Sequence, residues 1–190
     1  STRFGGNNQY GYFPSGAFAW QLGDEDFVPE TFSTLKLRLG YGVTGNQEIP
    51  YNLYTPRDRF GGIGISDGGT VNVPGTGQVT FRNADLKWEE TSQTNIGLDF
   101  GFLQDRLSGS LDFYRKNTTD LLFQTFSAQP AAQDFVWENL DANVINKGVE
   151  FSIDYDLFQE EDFYWNLGFN ISYNENMVED FDGAIQTGGI

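Results

Sequence analysis

The nine residues Val149–Leu157, VEFSIDYDL, decide the fold. Val149, Phe151, Ile153, Tyr155 and Leu157 alternate with Glu150, Ser152, Asp154 and Asp156. An extended chain places the first set on one face and the second on the other. Wound as a helix, the same letters would scatter carboxylates around the axis and leave no apolar stripe.

The period of two recurs on either side. WNLGFNISY, from Trp165, sets Trp165, Leu167, Phe169, Ile171 and Tyr173 against Asn166, Asn170 and Ser172. LSGSLDFYR, from Leu107, sets Leu107, Leu111 and Phe113 against Ser108, Ser110 and Asp112. TNIGLDFGF, from Thr94, sets Ile96, Leu98, Phe100 and Phe102 against Asn95 and Asp99. LKLRLGYGV, from Leu35, sets Leu35, Leu37, Leu39, Tyr41 and Val43 against Lys36, Arg38 and glycines. A less regular sixth strand is expected at Tyr12–Ala19. Each clear segment has about nine residues, the length a tilted strand needs to cross a bilayer. Charge on the apolar parity is confined to Arg115 and Lys147, past the segment ends, where a long basic side chain reaches the interface. A cation at the middle of a lipid-facing strand would cost about 2–4 kcal/mol.

Connections alternate between short and long. Turns near Leu103–Arg106 and Gln159–Asp162 are tight, whereas Gly45–Glu90 and Asn117–Asn143 are long, polar and glycine-rich. Compact soluble domains seldom hold such loops, but barrels have short periplasmic turns and long outer loops. The intermediate Gln21–Thr34 connection is then periplasmic, with room for a helical turn. The fold class is all-β: an antiparallel up-and-down transmembrane β-barrel segment with long extracellular loops. Six strands cannot close such a barrel. Residues 1–190 are therefore expected to be a fragment, with Ser1–Gly11 and Asp182–Ile190 reading as loop.

Composition narrows the chemistry. The 190 residues include no histidine and no cysteine and carry a formal charge of −16. Histidine- and cysteine-based catalysis and the usual zinc sites are excluded, and no residue pattern calls for a metal or cofactor. Acidity argues against a nucleic-acid partner and against simple adsorption to an anionic lipid surface. Aromatics make up 16% while hydrophobic residues reach only 38%, which suits a sheet with one apolar and one polar face.

Several stretches resemble the SusC/RagA family of TonB-linked outer-membrane proteins of the Bacteroidetes. They are Ser1–Gly5 with Tyr10–Trp20, Leu35–Asn46, Asn83–Phe100, Asp112–Leu122 and Asn146–Glu150. The resemblance implies a barrel of about 22 strands in the outer membrane of a Gram-negative bacterium, of which this chain is the C-terminal part. It implies a plug, a TonB box and a signal peptide outside the sequence. The implied partners are TonB, outer-membrane lipid, a SusD-like surface lipoprotein, and a glycan or peptide substrate. The implied role is active, non-enzymatic nutrient import.

The polar parity supplies the candidate lumen lining: Lys36, Arg38, Asp99, Asp112, Glu150, Asp154 and Asp156. Trp20 and Trp165, at strand ends, suit an interfacial aromatic girdle. Trp88, at a strand start inside a family motif, reads as structural. Phe123, Phe126, Phe135 and Trp137 make the Asn117–Asn143 loop aromatic and mark it for ligand or lipoprotein contact. The acidic groups Asp24–Asp26, Glu89–Glu90, Glu160–Asp162 and Glu179–Asp182 read as solvated charge rather than a catalytic pair. DFDG at Asp180–Gly183 lacks most of a calcium loop. Gly61–Gly69 and Gly75–Gly77 lack the Lys and flanking elements of a phosphate cradle and are expected to be flexible loops. Two other functions fit the strand pattern alone: a soluble or surface β-sandwich ligand-binding module, and a passive porin-like barrel.

Overall fold

The computed structural model describes residues 3–51, 53, 57–66, 69–80, 83–126, 135–160 and 163–181. Its strands are β1 (Ser15–Gln21), β2 (Phe32–Asn46), β3 (Arg57–Ser66), β4 (Gly69–Thr80), β5 (Glu89–Phe102), β6 (Leu107–Thr119), β7 (Leu121–Phe126), β8 (Phe135–Leu140), β9 (Asn143–Glu160) and β10 (Phe163–Glu179). Six of them form one antiparallel sheet in the order β1-β2-β5-β6-β9-β10. Five of these are the strands that clear periodicity locates. The sixth, expected at Tyr12–Ala19, runs over Ser15–Gln21, starting after Pro14, which has no N–H to give a ladder. The sheet is open, with β1 and β10 at its edges. A single 3-10 turn, Leu22–Asp24, sits in the connection where a helical turn has room.

Register explains why the alternating segments assemble. Directly paired residues share a face, and the pairings run Trp20–Leu37–Leu98–Leu111–Phe151–Ile171 across all six strands. The adjacent row is Phe18–Leu39–Ile96–Phe113–Val149–Tyr173. A slip of one residue anywhere would move a strand's apolar set to the opposite face, so the pattern pins the register. This outer face is left uncovered: Leu167, Phe169 and Ile171 are each more than half exposed. The other two sheets, β3-β4 and β7-β8, pair only within themselves.

The structure departs from the sequence reading in two further places. The strands have 13 to 18 residues in β2, β5, β6, β9 and β10, not nine. At about 3.3 Å per residue, β9 reaches about 56 Å and outruns a bilayer core of about 30 Å. Beyond the apolar band, residues such as Asn143, Asn146, Asn174 and Asn176 are polar on both faces, and their backbones still pair. The second departure lies in the long connections. Of the glycine-rich stretches Gly61–Gly69 and Gly75–Gly77, expected to be loop, Gly61–Ser66, Gly69 and Gly75–Gly77 belong to the β3-β4 ladder, with Gly62 opposite Val73 and Gly64 opposite Val71. Asp67 and Gly68 lie outside the described residues. The Asn117–Asn143 loop likewise holds the β7-β8 hairpin. Glycines dilute the β-branched alternation of the first, and each strand of the second has only six residues.

Two local devices shape the turn end. Leu103, Gln104 and Asp105 all have positive φ, a costly backbone held by Ser33, whose Oγ donates to Asp105 Oδ1 at 2.8 Å and accepts from Asp105 N at 2.9 Å. In β9, Leu157 is the extra residue of a β-bulge, so Phe158 faces Trp165 while Asp156 faces Asn166. Ser1–Thr2, Glu161–Asp162 and Asp182–Ile190 lie outside the described residues, and with them parts of two acidic groups and of DFDG.

Candidate functional site

The inner face of the sheet brings the candidate lumen residues together in rows. Arg38, Gly97, Asp112 and Glu150 occupy one row on β2, β5, β6 and β9. Lys36, Asp99, Ser110 and Ser152 occupy the next. Arg38 grips Asp99 with both Nε and Nη2, each at 2.8 Å, and its Nη2 also reaches Asp112 Oδ1 at 2.9 Å. One guanidinium thus ties three strands together, the fork geometry for which arginine is suited.

That bridge depends on a glycine. A Cβ on Gly97 would lie 2.5 Å from Asp112 Oδ1 and 2.7 Å from Arg38 Cζ, so any larger residue would block the crossing of β5. The arrangement repeats two strands on, where Tyr114 passes over Gly148 and its hydroxyl donates to Asn174 Oδ1. Sequence reasoning passed over both glycines, along with Tyr114 and Asn174. The readable signal is a glycine on polar parity whose neighbours in the row are one long and one short polar side chain.

Glu150 is exposed and faces Asp112 and Ser172 across the strands. It lines a shallow recess of about 300 Å³ with Ser110, Ser152, Asn170 and Ser172, and there the Ser110 and Ser152 hydroxyls share a hydrogen bond of 3.0 Å. Asp154 faces Ser108 and Gly168. Asp156 accepts from the Tyr164 hydroxyl at 2.6 Å and Asn166 Nδ2 at 2.8 Å, which fixes it beside the bulge. Among the described residues, no group of three His, Cys, Asp or Glu is placed to hold a metal ion.

Trp20 and Trp165 sit at the turn end of the outer face. Trp20 Nε1 donates to Glu25 Oε1 at 2.9 Å, and Trp165 stacks on Phe158 with ring centroids 6.2 Å apart.

At the other end, the loop residues build a small core. Phe4, Ile49 and Leu86 are fully or almost fully buried, and Leu53, Trp88, Leu122 and Trp137 pack against them. Trp88 lies 5.2 Å from the rings of both Phe4 and Phe13, and its Nε1 donates to Asn8 O at 3.1 Å. Polar contacts close the cluster. Arg3 Nη1 donates to the carbonyls of Gln47 and Ile49, and Asn139 Nδ2 donates to those of Lys87 and Asp120. Lys87 Nζ meets Asp120 Oδ1 at 2.7 Å. The four aromatic loop candidates therefore separate. Trp137 packs into this core, Phe123 stands on the opposite face of the hairpin, and Phe126 and Phe135 form an exposed pair 4.7 Å apart.

Comparison with known proteins agrees with this architecture. The chain is 35% identical to the TonB-dependent receptor SusC of Bacteroides thetaiotaomicron over 97% of its own length and 19% of that protein's. It is 38% identical to TonB-dependent receptor P39 of Formosa agariphila over all of its own length and 18% of that protein's. Among solved structures, the RagAB peptide transporter superposes with a TM-score of 0.75 at 28% identity, over 93% of this chain and 19% of that one. The chain thus spans about a fifth of the length of the relatives it matches. The model of the TonB dependent receptor-like, beta-barrel family matches residues 1–189, and the chain belongs to that family, one of receptors rather than enzymes.

Proposed function

We propose that this chain is a stretch of barrel wall from an outer-membrane nutrient importer of Gram-negative bacteria. The whole receptor would take up a glycan or peptide with a SusD-like lipoprotein, energised through TonB. Its plug and TonB box would lie in parts of the longer protein beyond these residues. One observation carries the reading: two apolar rows run in register across six strands, opposite a polar face braced by Arg38, Asp99 and Asp112. A membrane on one side and a wet lumen on the other satisfy both faces. Family membership favours active uptake over a passive pore. The exposed Phe126–Phe135 pair, carried on a hairpin anchored by the loop core, is the surface best suited to partner or ligand contact.

Single cysteines along Val149–Leu157 test this in the full-length receptor in intact cells, against a cysteine-free background in this region. Phe151, Ile153 and Tyr155 positions should resist a water-soluble thiol reagent while Ser152 and Asp154 positions react. Equal reactivity of both parities would refute the membrane wall.

A further inference from the structure

Among the described residues, the outer face of the six-stranded sheet carries two cations, Arg115 on β6 and Lys147 on β9. The register sets them directly opposite each other. Like charges so placed repel. Relief is partial. Lys147 Nζ reaches Glu175 Oε2 at 3.3 Å, whereas no described carboxylate pairs with Arg115, which is exposed. Tyr41, Thr94, Arg115, Lys147 and Glu175 form one row with one net positive charge. In a chain of net charge −16, that is a local exception.

The position of the row gives the exception a meaning. It lies one step beyond Leu39–Ile96–Phe113–Val149–Tyr173, the last all-apolar row, at the end of the sheet that carries the long connections. Under the membrane reading, on which this inference rests, that is headgroup level in the outer leaflet. We propose that Arg115 and Lys147 seat a phosphate group of an outer-leaflet lipid whose acyl chains lie along Phe113 and Val149. A phosphate has enough oxygens to meet a guanidinium fork and an ammonium on adjacent strands together, and it turns their repulsion into attraction. Continuity with the apolar face selects a lipid over free phosphate as its source. Overall acidity disfavours nonspecific adsorption to anionic membranes, so what binds here is held by this row.

Native mass spectrometry of the full-length receptor tests the seat, after exchange into neutral detergent containing diphosphoryl lipid A. The wild type should retain the lipid, and excess inorganic phosphate should not displace it. Arg115→Gln with Lys147→Gln should lower retention at least tenfold, whereas Lys36→Gln, on the inner face, should leave it unchanged. Fully dephosphorylated lipid A should not be retained by the wild type. Equal retention by the double variant, or equal loss in Lys36→Gln, would overturn the seat. Displacement by inorganic phosphate would overturn the lipid source. Should the cysteine parity test fail as well, the membrane reading falls with it; should parity hold, the failure is confined to this seat.

Discussion

Replacing Gly97 by alanine should break the ion network, and the cost should vanish when Arg38 is removed first. The added Cβ would sit 2.5 Å from Asp112 Oδ1 and 2.7 Å from Arg38 Cζ, so the guanidinium must leave its position over β5. Overpacking of this kind costs about 1–3 kcal/mol, and a hydrogen bond to a charged group is worth about 1.5–3 kcal/mol. The Arg38 side chain is 41% exposed and those of Asp99 and Asp112 are 32%, so water screens the network and the low end applies. Against this, Gly97 does not have positive φ, and alanine there gains about 0.4–1 kcal/mol from the unfolded chain. The net expectation is a loss of about 1–2 kcal/mol. In an Arg38→Ala background the guanidinium is gone and Asp112 is free to rotate, so Gly97→Ala should become neutral or mildly stabilising. A double-mutant cycle on the full-length receptor, folded into vesicles and unfolded in urea, reads the coupling, expected at about 2 kcal/mol. Additivity within about 0.5 kcal/mol, the ordinary scatter for uncoupled sites, would refute the dependence of the bridge on Gly97.

Two further outcomes follow from the faces and the loop core. Phe151→Arg should cost about 2–4 kcal/mol, because it puts a cation on the lipid face in mid-row. Ser152→Arg, one residue away, should cost no more than the lost Ser110 hydrogen bond, about 0.5–1.5 kcal/mol. Comparing the amounts of the two variants folded in the membrane checks this, and equal losses would contradict the facing. Leu86→Ala, at a fully buried position, should cost about 2–5 kcal/mol within the loop core. Protease added to intact cells should then cleave the outer segments faster while the barrel keeps its resistance to unfolding in detergent. Loss of that resistance would show that the loop core supports the wall itself.

How much of this was legible in the sequence depended on which physical constraint acted at each place. The wall was legible because one face must be apolar at every second residue; VEFSIDYDL leaves no other parity. Ends of strands were not, since Asn174, Glu175 and Asn176 pair their backbones with no demand on side-chain polarity. Both hairpins left a weaker mark, since β7 and β8 have only six residues each and the β3-β4 stretch is rich in glycine. Within the candidate site, polar parity was enough to collect Arg38, Asp99 and Asp112 on one face, but not to show that one side chain crosses β5. That crossing depends on the absence of a side chain at Gly97, and an absence leaves no periodic mark.

Residue identity and residue pattern encode different parts of this molecule. The family-like stretches supply Arg3 and Phe4, Asn83 to Glu89, and Asp120 and Leu122, and these residues meet at the loop end of the sheet. There Glu89 Oε2 accepts from Leu122 N at 3.0 Å, and Asn83 Nδ2 donates to Trp137 O at 2.9 Å. Each contact needs one particular side chain, so identity is constrained, and the motif is visible as letters. In the wall, any apolar residue of suitable size fills a row, and only alternation persists. A face that must satisfy a solvent constrains polarity; a core that must satisfy named backbone groups constrains identity. Arg115 and Lys147 fit neither category, being polar residues on the apolar parity outside the loop core. The interface accounts for a long cation at such a position but not for two set directly opposite each other, and a bridging phosphate is the physical cause we propose for that pairing.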